Sequence, residues 1–174
     1  RNTMSLLPII IAPDQRLKSS AFPVTSVDAE IRRLMDDMLE TMYSAPGIGL
    51  AAPQVGIRKR VLVIDTNMNE NGEPGDPLLV ANPTLSWISE NKKTTEEGCL
   101  SLPGQYAEVE RPAQIRVKFI DQHNRNQEFE VDGLVAACLQ HEMDHLDGRL
   151  FIDHLSRLKK NMILRKLAKS KRRS

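Results

Sequence analysis

One short segment, residues 141–145 with the sequence HEMDH, constrains this chain more than any other. The surrounding sequence predicts a helix from about residue 132 to about residue 147, with a glycine at 148 as a natural stop. Residues four positions apart share one face of a helix, so His141 and His145 can present two imidazoles to one metal ion. Glu142 lies close enough to take a proton from a bound water without being a ligand. The segment therefore predicts a metal-binding helix.

A catalytic site of this type needs a third protein ligand, and the sequence after the HEMDH segment does not supply one. His154 is the only histidine downstream, nine residues past His145, and no glutamate follows the segment. Upstream, Cys99 lies among Gly and Pro residues, and a thiolate is a strong ligand for a divalent metal. These observations favour Cys99 as the third ligand over a role as a small buried hydrophobe. Cys138, one turn before the segment, is expected to pack in the core or line the pocket.

A third informative segment is GIGLAAPQ at residues 47–54. Its two glycines allow the backbone to approach another group closely. Taken alone, the segment is also consistent with a simple helix exit that leads into a strand. Gln54 gains interest as a side-chain amide that could donate a hydrogen bond to a developing oxyanion.

The remaining periodicities predict an α+β fold. Apolar residues recur at spacings of three and four from Val27 to Met42, which predicts an amphipathic helix that ends at Pro46-Gly47. A third helix is expected from about Leu155 to Lys169. Apolar or alternating segments predict strands at 60–65, 78–81, 84–89, 115–120 and 128–131. Because the strands are grouped between helices and do not alternate with them, the fold class is α+β.

Composition limits the class of protein. A chain of 174 residues, 40% hydrophobic and 27% charged, is expected to form one domain over residues 4–174. No apolar run approaches the roughly 20 residues of a membrane span, and no secretory leader is evident, so no membrane partner is expected. Two cysteines favour a reducing compartment, and we expect a cytoplasmic location. Residues 1–3, before Met4, are expected to be a remnant of a cloning vector.

The formal net charge of +1 conceals an uneven distribution. Nine of the 24 Lys and Arg residues lie between positions 157 and 174, where no acidic residue occurs. Residues 1–156 therefore carry 15 basic and 23 acidic residues, a net charge of −8. An acidic body with a basic tail is typical of a protein with a polyanionic partner, and a solvated charged terminus is the simpler alternative.

Together, GIGLAAPQ (47–54), EGCLS (97–101) and HEMDH (141–145) resemble the peptide deformylase family in order and spacing. The resemblance covers nearly all of residues 4–160, and the chain is similar in length to the bacterial members. It implies antiparallel sheets packed around a central metal-binding helix, with an N-terminal amphipathic helix and a C-terminal helix. It also implies a hydrolase that removes the N-formyl group from the formyl-methionine end of nascent polypeptides and releases formate.

The resemblance implies a metal site and a catalytic set. The ion would be Fe²⁺, for which Zn²⁺, Ni²⁺ or Co²⁺ can substitute, whereas the ligand spacing alone favours zinc. Glu142 would be the general base and then the acid that protonates the leaving amine. The Gln54 amide and the Leu100 backbone N–H would stabilise the oxyanion that forms when hydroxide attacks the formyl carbon. The metal ligands would be Cys99, His141 and His145.

The resemblance also implies substrate contacts. Gly49 would pair its backbone with an extended peptide, in the manner of an added strand. Ala137 replaces a larger aliphatic residue of many relatives, which predicts a roomier methionine pocket. Tyr106 stands where several relatives have an arginine at the pocket mouth. The substrate-binding residues would be Ile48, Gly49, Gly98, Ala137 and Cys138.

Two further predictions concern charged residues. Glu97 is expected to accept a hydrogen bond from His141, with Arg111 holding the carboxylate, and an exposed ion pair of small value is the alternative. The resemblance further implies that the basic helix and tail from Leu155 to Ser174 contact ribosomal RNA, and no DNA partner is expected. His123 and His154 are assigned no role.

Two other hypotheses remain at this point. An HExxH metalloprotease would cleave an internal peptide bond, but it gives no role to Gln54 or Leu100. A nucleic-acid or ribosome-binding module would explain the basic tail but would leave the metal-ligand pattern without a use. The deformylase hypothesis is favoured because it alone uses all three segments.

Overall fold

The computed structural model of the chain describes residues 5–173. The expected vector remnant at residues 1–3, together with Met4 and Ser174, lies outside the described residues. The helices are α1 (Ala29–Ser44), α2 (Gly133–Leu146) and α3 (Arg157–Arg173), with short 3₁₀-helices at Gln15–Lys18, Ala52–Val55 and Phe151–His154. The strands are β1 (Gly49–Ala51), β2 (Val61–Ile64), β3 (Leu78–Ile88), β4 (Lys92–Cys99), β5 (Leu102–Pro112), β6 (Gln114–Ile120) and β7 (Asn126–Asp132).

The strands form two antiparallel sheets. One has five strands in the order β1-β2-β3-β6-β7, and the other is the β4–β5 hairpin. With the three α-helices, this arrangement confirms the predicted α+β class. Within residues 5–173, none of the helices combines the length and the apolar composition that crossing a bilayer requires.

Helix α1 follows the predicted periodicity closely. The Asp28 carboxylate accepts a hydrogen bond from the Ile31 backbone N–H at 3.0 Å, which caps the first turn. The buried face packs against β1 and β2 and includes Met35, Met38 and Met42. Met35 is fully buried, whereas the neighbouring Leu34 is only half-buried.

The predicted strands at 78–81 and 84–89 are one strand, β3. The sequence Asn82-Pro83 suggests a turn, but the pairing of β3 with β6 absorbs it as a register shift between Ala81 and Thr84. Asn82 adopts a φ of 50°, and its side-chain amide makes two hydrogen bonds to the Val24 backbone, at 2.7 and 2.9 Å. These bonds attach the segment around Val24 to the irregular part of β3.

The β4–β5 hairpin was not predicted, because its strands do not alternate apolar with polar residues. β4 begins KKTTEE, and its buried side chain in that stretch is a glutamate. This hairpin ends beside α2, which contacts β5 on one side and β1, β2, β6 and β7 of the larger sheet on the other. Helix α3 packs through Ile163 and Leu167 against a cluster that contains Leu102 of β5 and Phe151. Helix α2 therefore lies between the two sheets.

Candidate active site

Three potential metal ligands meet where the hairpin approaches α2. One ligand atom each from Cys99, His141 and His145 lies within 4.8 Å of the others. In the part of the chain from 5 to 173, no other group of three or more His, Cys, Asp or Glu side chains is close enough to hold an ion. Cys99 closes β4 at the turn into β5, and its Sγ lies 3.3 Å from His145 Nε2. The two histidines are one turn apart on α2, with ring centroids 5.2 Å apart.

The donor set fits a divalent transition metal. Cysteine thiolate and histidine nitrogen are both ligands of zinc and similar divalent metals, and a catalytic site with three protein ligands keeps one position open. Glu142 Oε1 is buried and has no hydrogen-bond partner among the described residues. Buried polar atoms are almost always paired, so this oxygen indicates that a further group completes the site.

His141 is held from behind by a buried carboxylate. Glu97 Oε1 lies 2.9 Å from His141 Nδ1, which fixes the ring so that Nε2 faces the other ligands. Arg111 donates two hydrogen bonds to Glu97, from Nε at 2.6 Å and from Nη2 at 2.9 Å. Burial raises the pKa of Glu97, but the hydrogen bonds from Arg111 and His141 outweigh it and lower the pKa to about 2. The alternative of an exposed ion pair is wrong, because the Glu97 and Arg111 side chains are only 7% and 6% exposed.

Glu142 has the environment of a proton-transfer group. Burial raises its pKa to about 7, with the nearby His141 opposing the shift and Glu97 adding to it. Its Oε2 lies 3.8 Å from His141 Nε2 and also close to Gly49. A Cβ placed on Gly49 would be 2.5 Å from this oxygen and 3.0 Å from Cys138 Sγ, so a glycine is needed there.

Gln54 is fixed with its amide nitrogen toward the ligands. The Ala51 backbone N–H donates to Gln54 Oε1 at 2.9 Å, so the other end of the amide carries the N–H groups. Nε2 then donates to Ser101 Oγ at 3.1 Å and to Cys99 Sγ at 3.4 Å. Leu100 lies between these two acceptors in the turn that joins β4 to β5.

The site opens into a cavity of about 660 Å³. Opposite Gly98 across the hairpin stands Tyr106, which is 64% exposed and lines the same cavity. A Cβ on Gly98 would be 2.5 Å from the Tyr106 ring, so the glycine allows this close packing. The cavity wall contains all of the predicted substrate-binding residues, Ile48, Gly49, Gly98, Ala137 and Cys138.

The two cysteines have different surroundings. Cys138 is buried, its Sγ lies 3.7 Å from the Ile48 carbonyl oxygen, and it is not part of the ligand cluster. Burial and the neighbouring Glu142 raise the pKa of the Cys138 thiol, which keeps it neutral. Of the two cysteines, only Cys99 belongs to the cluster that could hold a metal ion.

The chain resembles known proteins over almost its whole length. A family model for polypeptide deformylase matches residues 6–161. The peptide deformylase of Methylocella silvestris is 55% identical over 168 residues, which cover 96% of this chain and 86% of that protein. That of Rhizobium meliloti is 53% identical over 167 residues, covering 96% and 95%. The crystal structure of peptide deformylase from Ehrlichia chaffeensis matches with a TM-score of 0.91 and 39% identity, covering 97% of this chain and 98% of that one. The chain belongs to the peptide deformylase family.

Membership of the peptide deformylase family confirms the resemblance drawn from the three segments. The family consists of enzymes that remove the N-formyl group from nascent peptides in a metal-dependent reaction, and the chain is such an enzyme.

Three residues of this deformylase were missed by the sequence reasoning. Ser101 is fully buried and binds the Gln54 amide, although its place in EGCLS could have drawn attention to it. Asp144 accepts a hydrogen bond from Arg111 at 2.9 Å, and its place inside HEMDH was a similar signal. His154, which was assigned no role, lies 2.7 Å from Asp144 through Nε2, and no sequence pattern indicated this contact.

Proposed function

We propose that this deformylase acts on formyl-methionyl peptides at the centre formed by Cys99, His141 and His145, beside Glu142. The observation that carries the proposal is the convergence of the three ligand side chains beside the unpaired Glu142 oxygen. Cys99, His141 and Glu142 also line the cavity. We also propose that residues 4–174 act as one catalytic domain, and that the enzyme works in the cytoplasm, where nascent chains emerge.

Cys99, His141 and His145 would hold one divalent ion. We propose Fe²⁺, on the family resemblance, with Zn²⁺, Ni²⁺ or Co²⁺ as substitutes that the same donor set accepts. When bound, the ion acts as a Lewis acid that lowers the pKa of water from about 16 toward about 7. The Glu97 carboxylate orients the His141 ring and makes that ligand more basic.

Glu142 would move the proton during hydrolysis. It takes a proton from the attacking water as the water oxygen bonds to the formyl carbon. It then gives that proton to the amine nitrogen as the carbon–nitrogen bond breaks, so that formate and a free amino terminus are released. A pKa of about 7 suits both steps near neutral pH.

Gln54 and Leu100 would stabilise the oxyanion that forms on the formyl oxygen. The Gln54 Nε2 group carries two N–H bonds, and Ser101 accepts one of them. The other points toward Cys99 Sγ, and this is the donor that we assign to the oxyanion. The Leu100 backbone N–H is the second donor, and each is expected to contribute about 3 to 4 kcal/mol to catalysis.

Substrate would enter the cavity as an extended peptide. Gly49 lies on the short strand β1 and would pair its backbone with the peptide. Ala137 and Cys138 of α2 would line the methionine pocket, and the small Ala137 side chain favours acceptance of bulkier aliphatic side chains. A steep loss of rate with such substrates would refute the roomier pocket. Tyr106 at the mouth would contact the residues after methionine.

Formate release from formyl-Met-Ala-Ser tests the assignment directly. The protein is prepared anaerobically with Fe²⁺, beside the variants Glu142→Ala and Cys99→Ser. We expect release by the unmodified chain, loss of activity in both variants, and loss of bound iron in Cys99→Ser alone. The variant His123→Gln, in an exposed turn, is the matched control. Bound metal without formate release would instead favour the protease hypothesis, which a peptide-library screen for internal cleavage would test.

We further propose that α3 contacts ribosomal RNA. The helix is rich in Lys and Arg, and two of its apolar side chains, Leu158 and Met162, are 68% and 41% exposed. Contact with phosphates would be strongly salt-dependent. Deletion of residues 160–174 would also remove Ile163 and Leu167 from the core, so charge reversal is the sharper test.

The test reverses three exposed charges on α3, with the substitutions Lys159→Glu, Lys166→Glu and Lys169→Glu. We expect this triple variant to lose co-sedimentation with ribosomes at low salt and to keep its rate on formyl-Met-Ala-Ser. The control reverses three exposed basic residues outside α3, Arg33, Lys118 and Arg125. Equal ribosome binding by both triple variants would refute the proposed contact.

A further inference from the structure

A continuous path of hydrogen bonds leads from the protein surface to a metal-ligand histidine. His154 Nε2 lies 2.7 Å from Asp144 Oδ2, and because a carboxylate only accepts, Nε2 carries the proton. Asp144 Oδ2 also accepts from Arg111 Nη1 at 2.9 Å. Arg111 holds Glu97, and Glu97 accepts from His141 Nδ1. The exposed fraction of the side chain falls from 24% at His154 and 16% at Asp144 to 8% at His141.

A second contact reaches His141 from the same element. Phe151 begins the 3₁₀-helix Phe151–His154, which follows α2 after a short turn. Its ring is stacked on the His141 ring, with centroids 6.0 Å apart and an interplanar angle of 23°. This 3₁₀-helix therefore touches the ligand ring directly through its first residue and indirectly through its last.

We propose that His154 is a positioning residue of the metal centre, which fixes the His141 ring through Asp144, Arg111 and Glu97. The inference rests on the proposed ligand role of His141. It adds the outer end of the path, a residue outside both the ligand cluster and the lining of the cavity.

The physical reason lies in how Arg111 is oriented. Its planar guanidinium binds Glu97 through Nε and Nη2 and Asp144 through Nη1, so both carboxylates set its plane. His154 donates to the same Asp144 oxygen and limits the rotation of that partly exposed carboxylate. Without His154, Asp144 can turn toward solvent, Arg111 is held firmly only on its Glu97 side, and the Glu97–His141 bond loses part of its support.

The test measures metal release as well as activity. Each variant is loaded with Co²⁺, and the dissociation rate is followed by loss of the visible Co²⁺–thiolate absorption after addition of excess EDTA. His154→Leu removes the donor, whereas His154→Gln keeps an N–H near the position of Nε2. Direct partners of ligand histidines change metal affinity about 10- to 100-fold, and we expect about a 3- to 10-fold faster release for His154→Leu. His154→Gln should stay within about twofold of the unmodified chain, by the same comparison.

Two controls separate positioning from general stability. His123→Leu removes a histidine from an exposed turn and should release Co²⁺ at the unmodified rate. Thermal unfolding of the metal-free proteins should be nearly the same for His154→Leu and His154→Gln. In a double-mutant cycle, His154→Leu should have no further effect on release when Asp144→Ala is already present.

The outcomes are distinct. Release from His154→Leu at the unmodified rate would overturn the proposal, and so would equally fast release from His154→Gln. Failure of the unmodified chain to bind one Co²⁺ would refute the proposed metal centre itself, a result that no comparison among His154 variants would mimic.

Discussion

Replacement of Glu97 by glutamine is the substitution that tests most of the buried support of the metal centre. The change keeps the size of the side chain and removes its charge. Glu97 now accepts three hydrogen bonds, two from Arg111 at 2.6 and 2.9 Å and one from His141 at 2.9 Å. A glutamine has one oxygen to accept these bonds, and its NH₂ group would face another donor.

The expected loss follows from this geometry. At least two charge-assisted hydrogen bonds are lost or weakened, each worth about 1.5 to 3 kcal/mol. Arg111 keeps only Asp144 as an anionic partner, although its side chain is just 6% exposed. Breaking a buried ion pair on one side costs about 3 to 5 kcal/mol, in agreement with the sum of the bonds. We therefore expect the free energy of unfolding of metal-free Glu97→Gln to fall by about 3 to 5 kcal/mol.

Urea denaturation of the metal-free protein at pH 7 measures this loss, and EDTA-induced release of Co²⁺ measures the effect on His141. We expect metal release from Glu97→Gln to be about 10 to 100 times faster. The control Glu96→Gln changes the neighbouring exposed carboxylate and should leave both quantities unchanged. A loss of stability below about 1 kcal/mol, the range of exposed ion pairs, would show that the buried pair is not what supports His141.

Three further substitutions have defined expectations. Gly49→Ala places a Cβ 2.5 Å from Glu142 Oε2, so the carboxylate must move. We expect kcat on formyl-Met-Ala-Ser to fall by more than about 10²-fold with little change in bound metal. A normal kcat would contradict the role of Glu142. Ser101→Ala removes the hydroxyl that accepts a hydrogen bond from the Gln54 amide. We expect kcat to fall about 10-fold with KM unchanged. A change in KM alone would argue against oxyanion stabilisation by Gln54. Asp65 is fully buried, and burial raises the pKa of its carboxyl group. Hydrogen bonds from the Tyr43 hydroxyl and from three backbone N–H groups outweigh this effect, so the pKa lies below the ordinary value of 3.8. The contribution of the Asp65 carboxylate to the free energy of unfolding is therefore complete above pH 3.8 and is lost as the pH falls below that value. We expect Asp65→Asn to be less stable than the unmodified chain at pH 7 by about 1 to 3 kcal/mol, with a smaller difference in acid. Urea denaturation measures this, and an equal difference in stability at every pH would contradict it.

Local sequence patterns were enough to predict the helix α1, the pair of histidines on α2 and the family. The 3.6-residue period defined α1, and the spacing of His141 and His145 placed two potential metal ligands on one face of α2, because both features depend only on residues within one helix. The family was also determined by sequence, since three short segments in order carry it.

The way in which the β4–β5 hairpin, α2 and the segments around them pack together could be seen only in the tertiary structure. Glu97 and Arg111 lie on a hairpin with charged strands and little apolar alternation, so no periodicity marked it as a sheet. Its register brings a buried ion pair against α2, where Glu97 binds His141, a residue 44 positions later in the chain. The Ser101 contact with Gln54 and the His154 contact with Asp144 depend on the same packing. Such pairings are set by strand register and by the docking of α2 between two sheets, and neither is encoded in the local period of the sequence.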